Sequence, residues 1–238
     1  MNEIKRITYE DLLKCEVCND GSKKWLVTPD GKPYRCNCFN KRMTIESMRK
    51  MGISERELNK TFSNYKTDSE FKESILAAVR QYASDFVNDG LTDENALLLL
   101  GQVGCGKTHL AMAAFMYILT NGDAVKGYIM KWVDCVTDLK QTVISDPEHY
   151  KRIMNKIKTT DCLFIDDLFK GSITETDIKY AYDIINYRYE KALPIICTCE
   201  KNVQEIINID EAVGSRLAEM AKGHIIEMQG IGNYRLSK

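Results

Sequence analysis

The run Gly101-Gln102-Val103-Gly104-Cys105-Gly106-Lys107-Thr108 narrows the possible folds of this chain more than any other feature. It has the spacing G-x-x-x-x-G-K-T and stands between four leucines, Leu97 to Leu100, and an apolar stretch from Leu110 to Leu119. A buried strand, a glycine-rich turn and a helix in that order bring backbone N–H groups together on an anion, with the positive end of the helix dipole behind them. Glycine supplies backbone conformations that other residues reach only under strain. Lys107 is suited to neutralise the β and γ phosphates of a nucleotide, and the Thr108 hydroxyl to bind Mg²⁺. The contact set of this turn comprises Gly101, Gly104, Cys105, Gly106, Lys107, Thr108 and His109. The His109 ring, already inside the helix, reads as a packed or hydrogen-bonded group and not as a catalyst.

Further short apolar runs follow at Tyr128 to Trp132, Cys162 to Ile165, Pro194 to Thr198 and Ile225 to Met228. Helical stretches are expected between most of them, over 107–120, 135–145, 148–157, 175–191 and 203–221. Short apolar strands alternating with helices predict an α/β fold, a parallel sheet covered on both faces. The run from Cys162 ends in Asp166-Asp167, placing two carboxylates at the C-terminal edge of a strand expected to neighbour the glycine-rich turn. Asp166 is the candidate Mg²⁺ ligand, through water, and Asp167 the candidate for orienting or deprotonating an attacking water.

The 238 residues carry 33 basic and 34 acidic side chains and 44% apolar residues, which excludes a disordered or fibrous chain. The longest mainly apolar stretch, Leu110 to Leu119, is far short of the roughly 20 residues a bilayer requires. The N-terminal residues MNEIKRITYEDLLK lack the pattern of a secretory signal, so a cytoplasmic, reducing location is expected. There, nine cysteines read as metal ligands plus scattered buried thiols. Cys15-x2-Cys18 and Cys36-x-Cys38 bracket a Pro29-Asp30-Gly31 turn between two strand-like runs, a hairpin that can gather four thiolates around Zn²⁺. With four sulfur ligands such a site is closed and structural. Residues 21–50 hold eight basic and two acidic side chains, with Trp25, Tyr34 and Phe39 among them, a surface suited to single-stranded bases or to a partner's helix; an equally open reading makes Trp25 the core of this small module. The remaining cysteines, Cys105, Cys135, Cys162, Cys197 and Cys199, read as small buried apolar residues.

Four segments resemble the DnaC-type helicase loaders of the AAA+ class and the related IstB-type transposition helpers: GKTHLAMA, the upstream GISERELNKTFSNY, LPIICTCE and GSRLAEM. The resemblance runs from residue 52 to about 230 and is closest to loaders of phages and mobile elements, judged by DDLFKG, INYRYEK and the cysteine-bearing N-terminus. It implies a P-loop AAA+ core without a C-terminal lid, an upstream segment that helps enclose adenine, Thr198 as the sensor of the γ-phosphate, and Arg216 as an arginine finger reaching a neighbouring subunit's ATP. Two departures stand out. The family often has Thr-Ser-Asn where this chain has Thr198-Cys199-Glu200, and Glu200 would repel a phosphate unless paired. Asp167 stands where many members have Glu, one methylene longer, which suits slow hydrolysis.

The organisation expected is a zinc-binding, partner-docking module over 1–50, a connector and adenine-side segment over 51–70, and an AAA+ ATPase core over 71–238. The implied activity is ATP-dependent loading of a hexameric replicative helicase onto single-stranded DNA by a homo-oligomer that forms with ATP, using ATP, Mg²⁺ and Zn²⁺ and no membrane. The alternatives are an IstB-like helper of transposition and an ATP-binding nucleic-acid adaptor with little hydrolysis. The segment after Trp132 resembles the helical insertion of initiator-type ATPases and carries Lys140, Lys151, Arg152, Lys156 and Lys158 as candidate phosphate contacts.

Overall fold

A computed structural model describes residues 8–19, 25–36, 38–50, 52–88, 90, 93–123, 125–234 and 236. The first seven residues, read above for a signal, and Lys23 and Lys24 of the basic segment lie outside them.

The first helix, α1 (Tyr9–Leu13), is capped by Thr8, which exchanges hydrogen bonds with Asp11. The expected hairpin is present as two short antiparallel strands, β1 (Leu26–Val27) and β2 (Pro33–Tyr34), turning through Gly31 at φ +83°. Trp25 is 56% exposed, so it is not the core of this module. Helix α2 (Cys38–Lys50) instead buries Ile45 and Met48, and Met48 joins the same hydrophobic cluster as Leu58, Val79 and Phe115. The Tyr9 hydroxyl donates to the Ile53 carbonyl at 2.6 Å, a second tie between this end of the chain and the rest. Residues 51–70 contain a short helix, α3 (Glu55–Leu58), and a 3₁₀ turn, Phe62–Asn64. Helix α4 (Glu70–Asn88) buries Ile75, Val79 and Tyr82 at helical spacing on one face, while Phe71 in its first turn stays exposed.

The main sheet comprises β3 (Leu97–Leu100), β4 (Gly127–Lys131), β5 (Cys162–Leu168), β6 (Ile195–Cys199) and β7 (Ile225–Glu227), all parallel, in the order β4-β5-β6-β3-β7. Between them run α5 (Lys107–Asn121), α6 (Trp132–Ser145), α7 (Pro147–Thr159), α8 (Glu175–Glu190), α9 (Val203–Ile209) and α10 (Glu211–Met220). Side-chain alternation along each strand divides the core. Leu98 and Leu100 face the helices from α6 to α10, whereas Leu97 and Leu99 face α4 and α5. Among the described residues no helix follows β7, and none is long and apolar enough to cross a membrane.

Three expectations need correction. The strand bearing Asp166 is not the neighbour of β3: β6 lies between them, pairing with β3 at Leu99↔Thr198 and with β5 at Leu168↔Cys199. Trp132 starts α6 instead of ending a strand, and its ring packs edge-on against Phe169 with centroids 5.4 Å apart. The stretch from Val203 is two helices, because Asp210 takes an extended conformation and its carboxylate caps α10 by accepting from the Val213 N–H at 2.8 Å.

Arg188 on α8 is fully buried. It donates from Nη1 to the carbonyls of Ile157, Lys158 and Thr160 and from Nη2 to that of Pro194, which ties the end of α7 to the entry of β6. Burial lowers its pKa to about 10.

Candidate nucleotide-binding site and four-cysteine cluster

Beyond Leu100 the chain turns through Gly101 at φ +143°, where a Cβ would lie 2.8 Å from the Met228 carbonyl oxygen. Gly106, at φ +106°, is the N-cap of α5, and a Cβ there would lie 2.9 Å from the Tyr65 ring. Both positions demand glycine for conformation and for space. The next residue, Lys107, is 5% exposed and donates to the carbonyls of Gly101 at 2.5 Å and Gln102 at 2.8 Å. Cys105 is buried in the same turn, its Sγ 3.9 Å from the Lys107 ammonium.

The acidic half of the site closes on this turn. Asp166 Oδ1 accepts from the Thr108 hydroxyl at 2.9 Å and from the Thr198 hydroxyl at 2.8 Å. The Thr198 oxygen in turn accepts from the Asp167 N–H at 2.8 Å. The register of β5 on β6 shifts between Ile165 and Leu168, and Asp167 sits at φ +60°, a conformation that Asp tolerates better than most residues. Burial raises the Asp166 pKa, opposed by the hydrogen bonds from Thr198 and Thr108. Glu200 pairs with Lys170, which supplies the partner that the sequence left in question.

A cavity of about 700 Å³ opens over the turn, lined among others by Lys60, Tyr65, Thr108, Asp167, Lys170 and Glu200. Residues upstream of α4 form one wall. His109 Nε2 is 2.8 Å from the Thr61 carbonyl, burial lowers its pKa, and a neutral ring donates this bond; the ring also packs edge-on against Tyr65. The cavity's size, its turn of backbone N–H groups and its paired hydroxyl and carboxylate fit a nucleotide carrying Mg²⁺. Lys60 and Tyr65 lie within GISERELNKTFSNY and Lys170 within DDLFKG, segments that carry the resemblance without marking any of the three as a site residue.

Arg216 stands elsewhere, outside the cavity lining. It donates to the Ala212 carbonyl at 3.0 Å, and its guanidinium lies 5.5 and 5.6 Å from the ring centroids of Tyr182 and Tyr189 on α8. Its Nε has no hydrogen-bond partner among the described residues. Of the basic residues after Trp132, Lys140 pairs with Asp177 at 2.7 Å, Lys158 with Asp183 at 2.6 Å and Lys151 with Glu148 at 3.2 Å. Arg152 contacts His149, and Lys156 lies over the Tyr128 ring.

At the other end of the chain the sulfurs of Cys15, Cys18, Cys36 and Cys38 all lie within 4.8 Å of one another, with Cys15–Cys36 at 3.7 Å and Cys18–Cys38 at 3.3 Å. A tetrahedral site with Zn–S bonds near 2.3 Å places its sulfurs about 3.8 Å apart, so the cluster fits zinc. The Cys18 N–H lowers the Cys15 thiol to about 7, while burial raises that of Cys38.

A profile of the bacterial DnaA ATPase domain matches residues 59–224. The chain belongs to that family. Among relatives of this DnaA-type domain, the uncharacterized protein YqaM of Bacillus subtilis is 30% identical over 233 residues, covering 94% of this chain and 72% of YqaM. Protein XkdC of the phage-like element PBSX, from the same organism, is 29% identical over 247 residues, covering 95% and 86% of the two chains. The replicative helicase loader DnaC of Escherichia coli K12 is 28% identical over 148 residues, covering 62% of this chain and 56% of DnaC. The crystal structure of the DnaC helicase loader shares the fold, with a TM-score of 0.58 and 22% identity over 74% of this chain and 98% of that one. DnaA bound to AMPPCP and single-stranded DNA superposes with a TM-score of 0.57 and 21% identity, covering 70% of this chain and 49% of DnaA. The fold is thus AAA+, and the DnaC-type resemblance, including its phage-element side, extends through the DnaA-type domain.

Proposed function

We propose that this chain is an ATP-dependent loader that places a hexameric replicative helicase on single-stranded DNA in the cytoplasm at the start of replication. The observation that carries the reading is the convergence of Thr108 and Thr198 on Asp166 beside the glycine-rich turn, in a chain related to DnaC. In this reading the N–H groups from Gly101 to Gly106 and the Lys107 ammonium hold the β and γ phosphates. Thr108 and Asp166 hold Mg²⁺, which when bound offsets phosphate charge. Asp167 orients the attacking water or takes its proton, and Thr198, tied to both aspartates, carries the nucleotide state to β6.

Arg216 serves the ATP of an adjacent copy, so hydrolysis belongs to an assembly. Cys15, Cys18, Cys36 and Cys38 hold a structural zinc, and the module they knit docks on the helicase. Single-stranded DNA runs along α6 and α7, with Arg152 and Lys156 as its freest contacts, since Lys140, Lys151 and Lys158 each have an acidic partner to leave.

The test is helicase loading on circular single-stranded DNA by the full chain, with and without ATP, and with Lys107→Ala and Asp167→Asn. The expected result is ATP-dependent loading by the parent and none by Lys107→Ala, while Asp167→Asn binds nucleotide and hardly turns over. Loading that Lys107→Ala supports as well as the parent points to an adaptor. Stimulation of a transposase with no helicase binding points to an IstB-like helper.

A further inference from the structure

The cavity over the glycine-rich turn contains a lysine that the nucleotide motif does not use. Lys60 lies half-buried in its wall, and among the described residues its ammonium has neither a hydrogen bond nor an ion pair. The other lysines around the cavity are all engaged. Lys107 donates to two carbonyls, Lys170 pairs with Glu200, Lys72 pairs with Asp68 at 2.8 Å, and Lys66 lies over the Tyr234 ring.

A chain of local contacts delivers Lys60 to this place. The register of β4 on β5 puts Lys131 directly beside Asp166. Lys131 pairs with Glu57 at 2.8 Å, which fastens α3 over the C-terminal ends of these two strands. Ser54 caps α3 and exchanges hydrogen bonds with Glu57, and the Lys60 N–H donates to the Glu57 carbonyl at 3.0 Å. Lys60 therefore stands one turn beyond an anchored residue; burial lowers its pKa, and the charges of Asp166 and Glu57 oppose that. It lines the cavity together with Lys107, Thr108 and Asp167.

We propose that Lys60 is a second phosphate lysine, which touches the terminal phosphate of ATP bound to its own chain. A half-buried ammonium without a partner carries a desolvation cost that an anion in the cavity offsets. In the cavity it shares with Lys107, Thr108 and Asp167 the anion it would meet is the γ-phosphate, which ADP lacks. Lys60 thus favours ATP over ADP and adds a cation of the same chain at the phosphoryl group, beside Lys107 and the one a neighbour supplies. The inference rests on the reading of this cavity as an ATP site.

The experiment uses the full chain with Lys60→Met, Lys60→Arg and Lys107→Ala. Each variant is titrated with Mg²⁺ and either AMPPNP or ADP, and single-turnover hydrolysis is followed. Lys60→Met should weaken AMPPNP binding by about tenfold or more, leave ADP within about twofold, and slow the single turnover. Lys60→Arg should keep most of the preference for the triphosphate. The ratio of the two affinities, measured on one preparation, does not depend on the fraction folded. Equal losses for both nucleotides, or no loss for either, would overturn the role of Lys60. Parent-like nucleotide binding by Lys107→Ala would instead overturn the ATP site itself, so the two failures are distinguishable.

Discussion

Thr108 and Thr198 donate to the same oxygen, Oδ1 of Asp166, at 2.9 and 2.8 Å. One hydroxyl comes from the first turn of α5 and the other from β6, so the glycine-rich turn and the strand beside it meet at a single carboxylate. The Thr198 hydroxyl has one proton, given to Asp166, and its oxygen receives the Asp167 N–H. One side chain therefore fixes both acidic residues.

Thr198→Val tests that arrangement with little change of shape. It removes a donor from a buried carboxylate and leaves the Asp167 N–H without its acceptor. We expect a stability loss of about 1–3 kcal/mol in urea unfolding. Steady-state ATP turnover should fall roughly 10- to 100-fold, with nucleotide affinity within about threefold of the parent. Parent-like turnover would remove Thr198 from the machinery.

Arg216 gives a test of assembly. Arg216 does not line its own cavity, so Arg216→Ala should keep an intact nucleotide pocket, while Lys107→Ala keeps an intact arginine. Mixing the two inactive proteins should restore part of the hydrolysis at mixed interfaces. If the mixture stays inactive while crosslinking shows that the two have assembled together, the arginine does not act across an interface.

Zinc should be found at one equivalent per chain by elemental analysis and be lost when Cys36 and Cys38 are both replaced by Ser. A strong chelator should lower the thermal unfolding temperature of the parent and leave that of the double variant unchanged. Full zinc content in the double variant would mean that other ligands hold the metal.

Glu57 predicts a pH effect of defined sign. Burial alone would raise its pKa, but the bond from Lys131 and those from Ser54 prevail and hold it down at about 2, against an ordinary value of 4.5. A carboxyl depressed in the fold contributes stability that is fully present above the unfolded value and is lost as pH falls from about 4.5 towards 2. Urea midpoints should therefore drop more steeply across that window for the parent than for Glu57→Gln. Parallel curves would show that the Lys131 pair contributes nothing to folding.

The glycine-rich turn, the two aspartates and the cysteine spacing were legible in the sequence because each is a local pattern whose chemistry depends on near neighbours. The position of β6 was not. Its apolar run looks like those of β3 and β5, and the order in which buried strands pair is settled by packing across the whole sheet. Asp210 was hidden for a related reason, since helical periodicity continues on both sides of the residue that interrupts it. Glu200 shows how a charge is misjudged alone: its partner Lys170 stands thirty positions earlier and meets it only after two strands have paired. Lys60 lies in a segment that the resemblance associates with adenine, and its placement in the cavity wall comes from the Glu57–Lys131 contact that fastens α3.

The four carbonyls gathered by Arg188 join the exit of α7 to the root of β6, the strand whose far end bears Thr198. The α6–α7 hairpin is in this way riveted at its base and free at its tip, where Ile144 is 88% exposed. The root of this hairpin and the root of the strand that carries Thr198 thus share one side chain, so that replacing Arg188 would loosen both at once.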